Sequence, residues 1–133
     1  MPMLPITSLY SAILALLVLK LAFNVIRIRQ AKNQGLGYNN TELLLAGRIH
    51  SNAMEYIPIS LILLALAESN GMPSTTLHIV GTILVIARIF HAVGFKAGKG
   101  SSHPGRYWGV VLTALVIVAL AAGNILYSWR YLT

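Results

Sequence analysis

The chain alternates between long apolar stretches and short polar breaks. Four apolar stretches stand out, roughly residues 6–25, 43–67, 77–95 and 110–126. Each is close to the ~20 residues that a spanning helix needs. The pattern predicts an all-α membrane protein, a four-transmembrane-helix bundle forming one domain over residues 1–133. The breaks carry ordinary turn signals. "NQGLGYNNT" supplies Gly and Asn before helix 2, with Asn40 or Thr41 as its cap. "SNGMPS" separates helices 2 and 3, and "KAGKGSSHPGR" precedes helix 4. "RIHSNA" and "RIFHAV" look alike but are too short to make a repeat.

Composition strengthens this reading. Mean hydropathy is +0.72, and only 10% of residues are charged, against about a quarter in a soluble domain. The opening "MPMLPITS" has no positive charge and no cleavage site follows a short apolar core, so the first stretch reads as a retained helix. There is no cysteine, which excludes disulfides, a Cys nucleophile and thiolate metal sites. The net charge of +7 fits contact with anionic lipid, and no nucleic-acid motif accompanies it. Outside the apolar stretches the cations gather at two of the breaks, and the C-terminus has only Arg130. Arg27, Arg29 and Lys32 close the first helix, and Lys96, Lys99 and Arg106 flank the third break, while "ESNGMPSTT" has none. The positive-inside rule then places breaks 1 and 3 in the cytoplasm and both termini outside.

Several polar residues do not belong in hydrocarbon. Arg48, Asn52 and Glu55 stand at i, i+4 and i+7 and share one stripe of helix 2; Arg88, His91 and Phe95 share one stripe of helix 3. Glu55 falls on the order of 15 Å below the start of its helix and Arg88 on the order of 10 Å below the end of its own. Arg27 ends helix 1 and Arg106 opens helix 4 on the same side. A charge at that depth costs a few kcal/mol and is usually paired or functional. Glu55 has candidate partners in Arg48 and Arg88, and such pairs would only fix packing. Polar residues from four helices, with cations in excess, point instead to an anionic ligand. The buried carboxylate among them suggests that this ligand also carries an ammonium. Lys20 lies on the Arg27 face and either points inward or snorkels. His50 lies off the stripe, Glu68 and His78 read as solvated, and His103 as an inert loop residue. Pro58 predicts a kink one turn below Glu55. Tyr127, Trp129 and Tyr131 read as an interfacial belt. No spacing of His and acids makes a metal site.

"RIHSNAMEYIP" resembles the helix 2 signature of the MAPEG family, the membrane-associated proteins in eicosanoid and glutathione metabolism. "ARIFHAVGF" resembles its helix 3 signature and "VIRIRQAK" the basic end of its helix 1. The similarity spans the chain and is nearest to small prokaryotic members, which implies a bacterial inner membrane. It also implies a homotrimer that binds glutathione, as a cosubstrate, between subunits on the cytoplasmic side. By that resemblance Glu55 holds the α-amino group and Arg48 and Asn52 orient the ligand. Arg27 and His91 contact the peptide, and Arg106 stabilises the thiolate. Phe95 departs from the Tyr that is usual there, and Ser51 stands where the prostaglandin synthase has an Arg. The implied activity is glutathione transfer to a lipophilic electrophile, or peroxide reduction. Two rival readings are a small multidrug-type transporter and a non-catalytic membrane scaffold. Such transporters keep their buried Glu on helix 1 and lack clustered arginines.

Overall fold

A computed structural model describes residues 4–132, with no account of the Tyr131 side chain. Four helices make up the chain, α1 Pro5–Ala31, α2 Thr41–Ser69, α3 Ser74–Ala97 and α4 Pro104–Leu132. All four are long and apolar enough to cross a membrane. Each runs a few residues past its apolar stretch. At 1.5 Å per residue the 29-residue α2 is about 43 Å long, which exceeds a ~30 Å hydrocarbon core and carries its ends into the headgroups.

Local chemistry sets the boundaries. Pro5 starts α1, where its missing N–H costs nothing. Asn40 caps α2, its Oδ1 accepting from the Glu42 and Leu43 amides at 2.8 and 3.3 Å. His103 is not inert. Its Nδ1 accepts from the Gly105 amide at 3.1 Å and its carbonyl from the Tyr107 amide, so it caps α4. Arg29 organises the first loop, its Nη1 donating to the carbonyls of Gln34, Gly35 and Gly37 at 3.1–3.3 Å and its guanidinium stacking on Tyr38. α2 runs unbroken through Pro58.

The helices pack up and down, which brings the basic first and third loops to one end. The apolar core, including Leu14, Leu64, Leu84 and Leu120, lies between all four. Lipid tails are as apolar as leucine, so burial alone does not choose partners; close backbone approach and polar contacts do. At the basic end, α3 and α4 meet at glycines. A Cβ on Gly94 would fall on the backbone of Gly105 and Arg106, and one on Gly109 on the backbone of His91.

At the opposite end the polar contacts bridge helices. Glu68 is not simply solvated. Its carboxylate accepts from the Ile6 and Thr7 amides at 2.9 and 2.7 Å, so the end of α2 neutralises the positive end of the α1 dipole. Tyr10 Oη donates to the His78 carbonyl at 2.9 Å and lies 3.1 Å from the His78 ring nitrogen. Asn124 donates to the Leu63 carbonyl at 2.9 Å and accepts from Asn70. Trp129 is exposed and Arg130 stacks on Tyr127; the Tyr131 side chain lies outside the described residues.

Gly94→Ala is expected to be among the most damaging one-carbon changes in the chain, because backbone cannot move aside as a side chain can. It should lower the apparent unfolding midpoint in detergent, by an overpacking cost of about 1–3 kcal/mol. The same substitution at Gly35, whose Cβ would meet open space, should leave the midpoint unchanged.

Candidate functional site

The centre of the polar cluster is Arg88. It is 2% exposed, deep among α2, α3 and α4. Its Nη2 donates to Asn52 Oδ1 of α2 at 2.6 Å and lies 3.3 Å from His91 Nδ1, one turn along α3. Its Nη1 reaches Thr113 Oγ1 of α4 at 3.5 Å. Thr113 gives its own proton to the Gly109 carbonyl at 2.7 Å, so its oxygen faces the guanidinium as an acceptor. A guanidinium donates only. His91 Nδ1 is therefore the acceptor, and the ring proton sits on Nε2. The Arg88 Nε–H is buried without a partner, and the Tyr56 ring lies 5.7 Å from the guanidinium carbon.

From His91 the cluster continues toward the basic end. His91 and Phe95 meet edge to face at 5.5 Å. The Arg106 guanidinium lies over the Phe95 ring at 3.9 Å, and its Nη1 donates to the Gly100 carbonyl at 2.8 Å. The glycine contact between α3 and α4 makes this stacking possible, since Gly94 packs on the backbone of Arg106 itself. Asn52, Arg88, His91, Phe95 and Arg106 thus form one connected row across three helices. The helix 3 stripe expected from its spacing is present and buried.

Of the two candidate partners of Glu55, Arg88 does not pair with it; its guanidinium is taken by Asn52, His91 and Thr113. Asn52 lies half-buried and turns its oxygen inward, while Arg48 and Glu55 are exposed. Three residues on from Asn52, Glu55 has rotated away from α3, which puts it out of reach of Arg88. Helix α2 also starts earlier than its apolar pattern suggests, so Glu55 lies about 21 Å along it, near mid-span. Asn52 spends its carbonyl oxygen on Arg88, which leaves its Nδ2 donors uncommitted among the described residues. A small cavity of about 270 Å³ at the basic end is lined by Arg48, Ser51, Gly47 and Tyr38. Arg27 does not join this cluster within the protomer; it lies in a separate cavity between α1 and α3.

Thr113 had only a faint signal, a lone hydroxyl in the apolar run "VVLTALVIV". The anchoring of α1 by Glu68 had none, because its partners are 61 and 62 residues away.

Residues 7–126 match the sequence profile of the MAPEG family. The chain belongs to the MAPEG family. It is similar to the inner membrane protein YecN of Escherichia coli K12, 40% identical over 91 residues, 68% of this chain and 70% of YecN. It matches YecN of the O6:H1 strain CFT073 to the same extent. Membership makes the four apolar helices those of a multi-pass membrane protein; of the stretches that carried the resemblance, those on α2 and α3 contribute to the row around Arg88 and the one on α1 does not.

Asn52→Ala should leave the buried guanidinium without its shortest acceptor. A hydrogen bond to a charged group is worth about 1.5–3 kcal/mol, so the unfolding midpoint in detergent should fall accordingly. Asn52→Asp, which keeps the acceptor, should restore most of the loss. An unshifted midpoint for Asn52→Ala would mean that the bond does not hold α2 to α3.

Proposed function

We propose that this MAPEG protein binds glutathione, as a cosubstrate, at the Arg48–Asn52–Glu55 edge of α2 and transfers it to a lipophilic electrophile or uses it to reduce a peroxide. The observation that carries the reading is an exposed carboxylate and an exposed guanidinium on a spanning helix, beside a row that already holds two further arginines. Glutathione has two carboxylates, one ammonium and a thiol. Arg48 and the Asn52 amide suit its carboxylates, Glu55 its ammonium, and His91 Nε2–H its peptide oxygens.

Catalysis would rest on electrostatics and proximity, without a protein nucleophile. Arg106 supplies the positive charge that favours a thiolate. Phe95 has no hydroxyl to share that task, and two of the Arg106 contacts go to loop carbonyls, so the thiolate would be stabilised by the remaining guanidinium protons. The electrophile would arrive sideways from the bilayer.

The same exposed edge supports an oligomer. Charge facing hydrocarbon near mid-span costs a few kcal/mol, and a neighbouring copy removes that cost. Arg27, remote from the edge in its own protomer, reaches a glutathione only from such a neighbour. A homotrimer with a shared site accommodates both facts. The basic loops then face the cytoplasm by the positive-inside rule, and the naming of the YecN relatives places the chain in a bacterial inner membrane.

Glu55→Gln and Arg48→Ala should each weaken glutathione binding at least about tenfold, or ~1.4 kcal/mol, when titrated calorimetrically in detergent. Unchanged affinity in variants that remain folded and assembled would remove this edge from the site.

A further inference from the structure

α1 and α3 are pinned together at the end away from the basic loops. Tyr10 packs on Gly81, where any Cβ would strike its ring, and its Oη lies 3.0 Å from Thr82 Oγ1. Toward the basic end the space between these helices becomes a lateral cavity of about 610 Å³. Its walls are apolar, with Leu17 and Leu21 on one side, Ile89 and Val93 on the other, and Ile49 of α2 as the floor.

Lys20, Arg27 and Lys96 also line it, and no acidic residue does. Among the described residues, the only side-chain hydrogen bond of the three is from Arg27 to Asn24, at 3.3 Å. Lys96 is one residue from the end of α3 and Arg27 four from the end of α1. Lys20 starts deeper, on the order of 16 Å from that end, but its stem is long enough to lift the ammonium toward the headgroups. Three exposed cations therefore line one apolar slot toward the basic end.

We propose that this cavity holds an anionic phospholipid, its phosphate between Lys20 and Lys96 and an acyl chain along the leucine and isoleucine walls. The charge pattern favours lipid over a second copy of the chain. A second copy has three carboxylates to offer, Glu42, Glu55 and Glu68, and Glu68 is held on the α1 amides at the opposite end. A phosphodiester supplies the anion and the apolar tail in one molecule. The inference stands apart from the glutathione reading, and its test leaves Arg27 in place for that reason.

The test is native mass spectrometry of the full chain titrated with dioleoyl-phosphatidylglycerol or dioleoyl-phosphatidylcholine, for wild type and Lys20→Gln/Lys96→Gln. Wild type should bind the anionic lipid at least about fivefold more tightly, the worth of a single cation near the surface. The double variant should lose that preference, and Lys20→Arg/Lys96→Arg should keep it. Equal binding of the two lipids by wild type would overturn the proposal, as would a preference that survives in the glutamine variant. Inorganic phosphate that displaces the lipid at equal concentration would reduce the site to one for a free anion. Cross-linking of Lys20 between copies would give the cavity to a second chain. If the glutamine variant does not fold, the comparison of the two lipids on wild type decides.

Discussion

A buried guanidinium organises this protein. Taking a charge out of water is tolerable only where most of its protons find acceptors. Arg88 takes those acceptors from three helices, Asn52 on α2, His91 on α3 and Thr113 on α4. The choice of acceptors then decides what the neighbouring groups present outward. Asn52 gives up its oxygen and retains its amide donors. His91 gives up Nδ1 and retains the proton on Nε2. The buried Arg88 thereby fixes which donors Asn52 and His91 have left to present.

The rest of the bundle obeys the same logic of scarcity. In lipid, apolar contact does not distinguish one helix pair from another, so a few specific features must. At the basic end they are steric, with Gly94, Gly105 and Gly109 letting α3 and α4 approach until Arg106 lies on Phe95. At the other end they are polar, with Glu68 on the first amides of α1, Tyr10 on α3, and Asn124 between α2 and α4. The first and third loops are free to carry the cations because neither end depends on them for helix pairing, Arg29 and Arg106 excepted, which tie their loops to themselves.

The positive charge divides between two faces. One is the edge of α2, where Arg48 accompanies a carboxylate and an amide. The other is the cavity between α1 and α3, where Lys20, Arg27 and Lys96 accompany mostly apolar walls and no carboxylate. A carboxylate beside the cations suits a zwitterionic peptide, and its absence suits a lipid phosphate. On the first face Glu55 stands exposed near the middle of a spanning helix.

The number of helices, their approximate limits, the common end of the basic loops and the family were legible in the sequence. Each depends on hydropathy and periodicity along one segment, or on a contiguous motif such as "RIHSNAMEYIP". The stripe Arg88–His91–Phe95 was legible for the same reason, since helical spacing alone puts those residues on one face. Partnership was not. Spacing shows that Glu55 and Arg88 lie at depth; the rotation of α2 about its axis decides that Asn52 and not Glu55 meets the guanidinium. Glu68 looked like a surface residue because the helix end that it caps is 61 and 62 residues away, and His103 because α4 starts at Pro104, ahead of its apolar stretch. The tertiary structure alone decided these matters, together with the place of Arg27 on a different face from Arg48. Contacts between helices depend on relative rotation and on a few glycines, and a membrane, which favours all apolar faces alike, leaves no hydropathy pattern from which to read them.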